Sequence, residues 1–201
     1  MRRWNRIAKP ALCLAGLVLA ALPAFAAGTV GAAAPAFSLK GLDGKTHALA
    51  DYAGKVVVLE WLNPDCPFSN RHAEEKTMTT LAAKYGEVVW LGIDSSSPSS
   101  HDYMKPAEIR AWTEKNGIHY AVLYDESGTV GHAYGAKTTP HMFIIGKDGK
   151  IAYNGAIDDD PSGRKAKPQR VNYVGKGLDA EHGGGKPDPA ATKPYGCTVK
   201  Y

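Results

Sequence analysis

Two six-residue runs, Val56-Val57-Val58-Leu59-Glu60-Trp61 and Val88-Val89-Trp90-Leu91-Gly92-Ile93, constrain the fold of this chain more than any other feature. Both are continuous rather than alternating, the pattern of strands buried on both faces. Such strands need helices to cover them, which points to a layered α/β structure. Between the runs, Met78, Leu81, Ala82 and Tyr85 fall on one helical stripe that stops at Gly86. Pro106 then starts a helix with Ile109 and Trp112 on one face, ending at Gly117. Residues 120–124 read as a third strand and 128–134 as a short helix. Residues 141–145 and 151–154 are strands joined by the tight turn Gly146-Lys147-Asp148-Gly149. Ahead of all this, Phe37-Ser38-Leu39 and Thr46-His47-Ala48-Leu49 flank Leu42-Asp43-Gly44 as a hairpin. The sum is a three-layer sandwich, a mixed central sheet with helices on both faces.

The two ends are of a different kind. Residues 1–26 read as a secretory signal peptide. Arg2, Arg3, Arg6 and Lys9 are followed by a short apolar stretch from Ala11 to Leu22, then by Ala24-Phe25-Ala26, a small-x-small cleavage site. The apolar stretch is too short to span a bilayer, so no membrane span is expected after cleavage. Cys13 goes with this segment. The mature chain is placed outside the cytoplasm, in a bacterium the periplasm. Removing the segment's four basic charges from the 24 Lys and Arg leaves 20, equal to the 20 Asp and Glu. The basic balance of the full chain is therefore a targeting feature, and nothing calls for nucleic acid or an anionic surface as partner.

The remaining length of about 175 residues suits one domain, 27–157. Residues 158–201 are expected to be an irregular extension. Only Val171, Tyr173, Val174 and Leu178 anchor a weak helix there, and Gly175 and Gly177 each weaken it. Asp158-Asp159-Asp160 before Pro161 reads as a solvated turn. The extension carries Cys197 close to the end of the chain.

Cys66 carries the chemistry. It follows the first buried strand and opens a helix through Asn63-Pro64-Asp65-Cys66-Pro67-Phe68-Ser69. A thiol at a helix N-terminus meets unpaired amides and the positive end of the backbone dipole, which favour thiolate, the reactive form. The mature chain holds one other cysteine, Cys197. That is enough for a single redox-active bond and too little for a disulfide scaffold. Cys197 either staples the tail to the body or resolves an oxidised Cys66, and sequence leaves open whether the two meet.

A strand leading into a cysteine at a helix start, followed far along by Thr139-Pro140 entering a strand-turn-strand unit, resembles the thioredoxin fold from about Ala36 to Gly155. The extra hairpin at 37–49 and the ending Pro194-Tyr195-Gly196-Cys197-Thr198-Val199-Lys200-Tyr201 resemble the redoxin and peroxiredoxin-like branch, the AhpC/TSA group. The resemblance implies a cis Thr139–Pro140 bond packed against Cys66. It also implies that the Thr139 backbone lies where a peptide substrate could pair. Two departures stand out. Thioredoxins carry a second cysteine where this chain has Ser69. Peroxiredoxins place proline seven and threonine or serine three residues before the peroxidatic cysteine, where this chain has Leu59 and Asn63.

The expected activity is thiol-disulfide exchange or thiol peroxidase-like antioxidant chemistry at Cys66, with Cys197 as resolving thiol and Pro140, Thr139, Asn63 and Ser69 supporting the site. Ser69 is expected to satisfy a helix N-terminal amide with its hydroxyl. Arg71 and His72 could lower the thiol pKa, though helix-face residues of this kind are more often solvated. Substrates would be protein disulfides, small thiols or peroxides, with an external reductant and no cofactor. The alternatives are a metallochaperone joining Cys66 to His72 or His141, and a non-catalytic binding protein of the same fold. No histidine pair has a ligand spacing, and no metal is expected.

Overall fold

The Leu42-Asp43-Gly44 turn closes the expected hairpin. Strands β1 (Ser38–Gly41) and β2 (Thr46–Ala48) pair antiparallel, with Ser38 opposite Ala48. Gly44 takes a φ of +79° at the turn, a conformation that favours glycine. Asp43 Oδ1 accepts from the Lys45 amide at 3.0 Å. A 3-10 turn over Leu49–Tyr52 follows. These and the elements below belong to a computed structural model that describes Met1 and residues 28–201. The expected signal peptide and Cys13, Met1 apart, lie outside the described residues.

The first apolar run is β3 (Val57–Trp61). Two helices, α1 (Pro67–Glu74) and α2 (Thr77–Lys84), come next, separated where Lys76 adopts a left-handed φ of 59°. The second run is β4 (Val89–Asp94), parallel to β3 with Leu59 opposite Leu91. Helix α3 (Pro106–Asn116) crosses over to β5 (Ala121–Tyr124), parallel to β4. Gly117 ends α3 with a φ of 63°, the left-handed stop its sequence signals. After α4 (Thr129–Tyr134) and the two-residue β6 (Thr138–Thr139), strands β7 (His141–Ile145) and β8 (Ile151–Gly155) form the closing hairpin. β7 runs antiparallel to β3, and the seven strands order as β2-β1-β5-β4-β3-β7-β8. The mixed sheet with helices is as expected.

Side chains alternate across β3. Val57, Leu59 and Trp61 join Ile93, Tyr134 and Phe143 in one core layer, and Val56 and Val58 join Met78, Met142 and Ile144 in the opposite one. Glu60 points the same way as Val58 by this period of two. It is only 6% exposed, and the Tyr120 hydroxyl donates to its Oε2 at 2.7 Å.

The C-terminal extension departs from the irregular tail expected of it. It holds a ten-residue helix, α5 (Tyr173–His182), capped by the Asn172 side chain accepting from the Gly175 amide at 2.7 Å. Its glycines are packing residues. A Cβ on Gly177 would lie 2.6 Å from Ile144 Cδ1, so glycine lets the helix settle on β7 without displacing that side chain. Val174 and Leu178 are buried in the same layer as Ile144. The acidic turn is likewise not solvated. Asp158 and Asp160 are 3% and 1% exposed, and Asp160 accepts from the Arg164 and Lys165 amides, both at 3.0 Å. The chain then returns to the body as β9 (Cys197–Thr198), antiparallel to β6. Among the described residues, no helix is long and apolar enough to cross a membrane.

Candidate functional site

Cys66 is the residue immediately preceding α1, in extended conformation, with Pro67 in the first turn where its missing amide costs nothing. Its approach is fixed by Asn63. The Asn63 Oδ1 accepts from the Asp65 amide at 2.6 Å, while Nδ2 donates to Ser96 Oγ at 2.8 Å and to the Asp102 carbonyl at 3.2 Å. One buried amide thus ties the thiol loop to the loop after β4. Ser69 is 2% exposed, and its hydroxyl accepts from the Asn63 amide at 3.4 Å. The hydroxyl therefore serves the loop rather than a helix N-terminal amide.

The Thr139–Pro140 peptide is cis and lies against Cys66, whose Sγ–H donates to the Thr139 carbonyl at 2.8 Å. On the other side of that carbonyl stands the tail. Thr139 is opposite Cys197 and Thr138 opposite Thr198, so the β6–β9 ladder delivers the Cys197 side chain to Cys66. Both thiols are free, Cys66 buried and Cys197 partly so. Gly196 makes this approach sterically feasible. Its φ is +137°, and a Cβ there would fall 2.1 Å from the Thr139 oxygen.

The electrostatics of the pair are unequal. Burial opposes ionisation of Cys66. Hydrogen bonding from Thr139 and from the Cys197 thiol, with the amides of Ser69 and Cys197, outweighs it, and the Cys66 thiol ionises below its ordinary value. Burial and then the neighbouring Cys66 sulfur push Cys197 the other way, up to about 11. Of the two thiols, Cys66 is therefore the one that ionises more readily, with Cys197 beside it as a proton-holding neighbour.

The tail also covers the site. The Val199 amide donates to the Lys137 carbonyl at 3.2 Å, and its side chain is buried among the core residues of the β3 layer. The Ser97 amide donates to the Lys200 carbonyl at 2.7 Å, and Lys200 Nζ pairs with Asp102 at 3.2 Å. Tyr201 stacks on His132 at 3.9 Å. What is left open beside Cys66, bounded by Asn63, Asp65, Asp102 and Lys200, has about 20 Å³ of water-sized space. That is room for about one water.

Arg71 and His72 do not reach the thiol. They turn toward Tyr195, whose hydroxyl accepts from Arg71 Nη2 at 3.1 Å and meets His72 Nε2 at 2.9 Å. His72 is 1% exposed rather than solvated, and burial lowers its pKa to about 4. Its Nδ1 meets Thr77 Oγ1 at 3.2 Å. The imidazole of His141 is equally engaged, by Asn154 Oδ1 at 2.7 Å and the Lys137 amide at 3.1 Å. Tyr195 and Val199 are the site residues that sequence reasoning missed. A lone aromatic in a Pro-Tyr-Gly stretch carries no periodic signal.

Residues 30–154 match the family model described as the AhpC/TSA family. The thiol-disulfide oxidoreductase ResA of Geobacillus thermodenitrificans (strain NG80-2) is 29% identical over 123 residues, 61% of this chain and 66% of that protein. The match thus spans just under two thirds of that relative. Among solved structures, an uncharacterized conserved protein from Geobacillus kaustophilus superposes with a TM-score of 0.76 at 29% identity, covering 87% of this chain and 93% of the other. A hypothetical protein from Sinorhizobium meliloti 1021 has a TM-score of 0.77 at 23% identity, with 86% and 94% covered, a likeness of fold.

Proposed function

We propose, from the premise that this chain belongs to the AhpC/TSA family, that it is an extracytoplasmic thiol-based oxidoreductase working through a Cys66–Cys197 dithiol/disulfide couple. One observation carries this reading: the chain returns from its far end to set Cys197 beside Cys66, on a ladder with Thr139. The signal-like segment at 1–26 supports export, and the ResA relative supports disulfide exchange as the reaction.

In the exchange reaction, the Cys66 thiolate attacks a substrate disulfide X–S–S–X, forming Cys66–S–S–X and releasing XS⁻. Cys197 loses its proton, attacks Cys66 Sγ and releases the second XS⁻, leaving the Cys66–Cys197 disulfide. The substrate gains two electrons and the protein loses them. The Cys66 sulfur ceases to be an anion in the mixed disulfide, which removes one of the causes holding the Cys197 pKa up. An external dithiol returns the couple to its starting state. Thr139 offers backbone groups to a substrate strand once β9 lifts, and Asn63, Ser69 and Pro140 hold the loop and the thiol in place.

The water-sized crevice favours a second entry to the same couple. Its size suits an oxidant little larger than water, such as hydrogen peroxide, better than a protein disulfide. Thiolate attack on one peroxide oxygen breaks the O–O bond and gives Cys66 sulfenic acid and hydroxide, and the Cys197 thiol then attacks Cys66 Sγ and releases water to form the same disulfide. The metallochaperone alternative is weakened, because both imidazoles it would use have their nitrogens occupied.

The test is mass mapping of the reduced mature chain after one equivalent of glutathione disulfide or of hydrogen peroxide. The expected product is a peptide pair linked Cys66–Cys197. Cys197→Ser should instead accumulate a glutathione adduct or a sulfenic acid at Cys66, and Cys66→Ser should yield neither. An unmodified Cys66 under both oxidants would refute the enzyme reading and leave the non-catalytic one.

A further inference from the structure

We infer that Tyr195 is a positioning residue for the redox couple, one that ties Cys197 to the same rigid helix that presents Cys66. The inference rests on the Cys66–Cys197 reading above. Helix α1 starts at the thiol, and its Phe68, Arg71 and His72, at i, i+3 and i+4, share one face. The Tyr195 ring sits on that face, 6.0 Å from the Phe68 ring and 6.2 Å from the His72 ring, with the Arg71 guanidinium 5.7 Å over its centroid.

The hydroxyl is more tightly held than the ring. It donates to Asp158 Oδ1 and accepts from Arg71 Nη2 at 3.1 Å. Its one proton goes to Asp158, and the same oxygen meets His72 Nε2 at 2.9 Å, a nitrogen that also lies 3.0 Å from Arg71 Nη2. His72 Nδ1 meets Thr77 Oγ1 at 3.2 Å, and burial keeps this imidazole neutral. One phenol oxygen thereby joins three parts of the molecule: the reactive helix, the buried Asp158 turn and the tail.

Position gives this oxygen its consequence. Cys197 lies two residues beyond Tyr195, with Gly196 between them pressed on the Thr139 carbonyl. On the far side of Cys197, Val199, Lys200 and Tyr201 hold the tail to the β6–α4 segment and to the loop after β4. Those anchors fix the end of the chain but do not touch α1. Tyr195 does, one helical turn from the thiol. The reactive helix and the approaching sulfur are therefore referenced to each other through the Tyr195 hydroxyl. In the Cys66–Cys197 bond-forming step this raises the effective concentration of the Cys197 sulfur at Cys66 without contact with either reacting atom.

The test is Tyr195→Phe, which keeps the ring packing and removes the hydroxyl. The wild-type chain and the variant are equilibrated anaerobically in glutathione buffers, quenched by alkylation and weighed. The fraction bonded Cys66–Cys197 gives an effective concentration for the pair. Tyr195→Phe is expected to lower it about ten-fold, the weight of one hydrogen-bonded hydroxyl in a charged network. In a Cys197→Ser background, the pH profile of Cys66 alkylation should stay the same with and without the Phe substitution, which separates positioning from general loosening. Arg71→Met should lower the effective concentration in the same direction, and the double variant should fall short of additivity because both changes break one network. An effective concentration within about two-fold of wild type for Tyr195→Phe overturns the inference while leaving the redox couple intact. A wild-type chain that never forms the bond overturns the couple, and this inference with it.

Discussion

Glu60→Gln should stabilise the folded chain, by an amount that grows as pH rises from 4.5 to 8. Glu60 is embedded in β3 with one neutral partner, the Tyr120 hydroxyl at 2.7 Å on Oε2. Burial, opposed only by that hydrogen bond, lifts its carboxyl from an ordinary 4.5 to about 7. Below about pH 4.5 the group holds its proton in the folded and unfolded chains alike. Between 4.5 and 7 the unfolded chain releases the proton and the folded chain keeps it, so folding stability falls as pH rises. Above 7 both forms are ionised and the penalty is complete. At about 1.36 kcal/mol per pH unit, that interval is worth about 3 kcal/mol. Glutamine retains the shape and the oxygen that accepts from Tyr120, with no proton to lose. Urea unfolding of the reduced proteins at pH 4.5, 6, 7 and 8 measures the difference. The gap between variant and wild type should widen by about 3 kcal/mol across the series and level off above pH 7. His72 and His141 titrate in both proteins at the acid end and drop out of the comparison. A gap that is the same at pH 4.5 and pH 8 would show that Glu60 ionises as freely in the fold as outside it, and the argument would fail.

Two further outcomes follow from the same geometry. His141 is held down to about 4, by burial first and then by the Lys137 charge, so it is neutral when folded, whereas the unfolded chain protonates near 6.5. Its contribution is present above 6.5 and is lost as pH falls toward 4, at about 3 kcal/mol in full. His141→Gln should flatten the acid limb of the stability curve, and an unchanged slope between pH 7 and 4 in the same unfolding assay would count against this. Gly196→Ala puts a Cβ into the Thr139 carbonyl at a φ of +137°, so β9 should lift. Cys66 should then alkylate faster with iodoacetamide and close the bond to Cys197 more slowly; a variant matching wild type in both rates would show that the tail tolerates the side chain.

The parts of this molecule that sequence reasoning reached are those specified locally. The runs at 56–61 and 88–93 needed only their own composition to read as buried strands, and the Asn63–Ser69 stretch needed only a strand before it and a helix after it. The parts that were hidden are specified by distant partners. Gly175 and Gly177 argue against a helix by propensity, yet α5 forms with Val174 and Leu178 buried against the sheet and Gly177 admitting Ile144 at close range, contacts between residues on different elements. Its one local signal, Asn172 three residues before Gly175, was present and reads as a cap only once the helix is granted. β9 has two residues and no period to detect, and exists because β6 lies beside it. Arg71 and His72 read as solvent-facing residues, yet His72 is buried and Arg71 half-buried, and both meet Tyr195, which arrives from a distant part of the chain.

The same distinction bears on why the couple is built this way. Two thiols on one helical turn, as in a pair separated by two residues, have their spacing fixed by the helix itself. With Ser69 in the second place, this chain takes its second thiol from a strand anchored by separate contacts. The lowering of the Cys66 pKa comes from Thr139 first, then from the Cys197 thiol, with the amides of Ser69 and Cys197 after them, and Cys197 in turn depends on Gly196, the β6 ladder and the hydroxyl of Tyr195 for its place. The reactivity of the attacking sulfur and the reach of the resolving sulfur thus share the tail. Substitutions at the tail anchors should slow closure of the couple, uncover Cys66 and, by withdrawing the Cys197 thiol, make Cys66 harder to ionise. That coupling is available only to a couple whose members come from opposite ends of the fold.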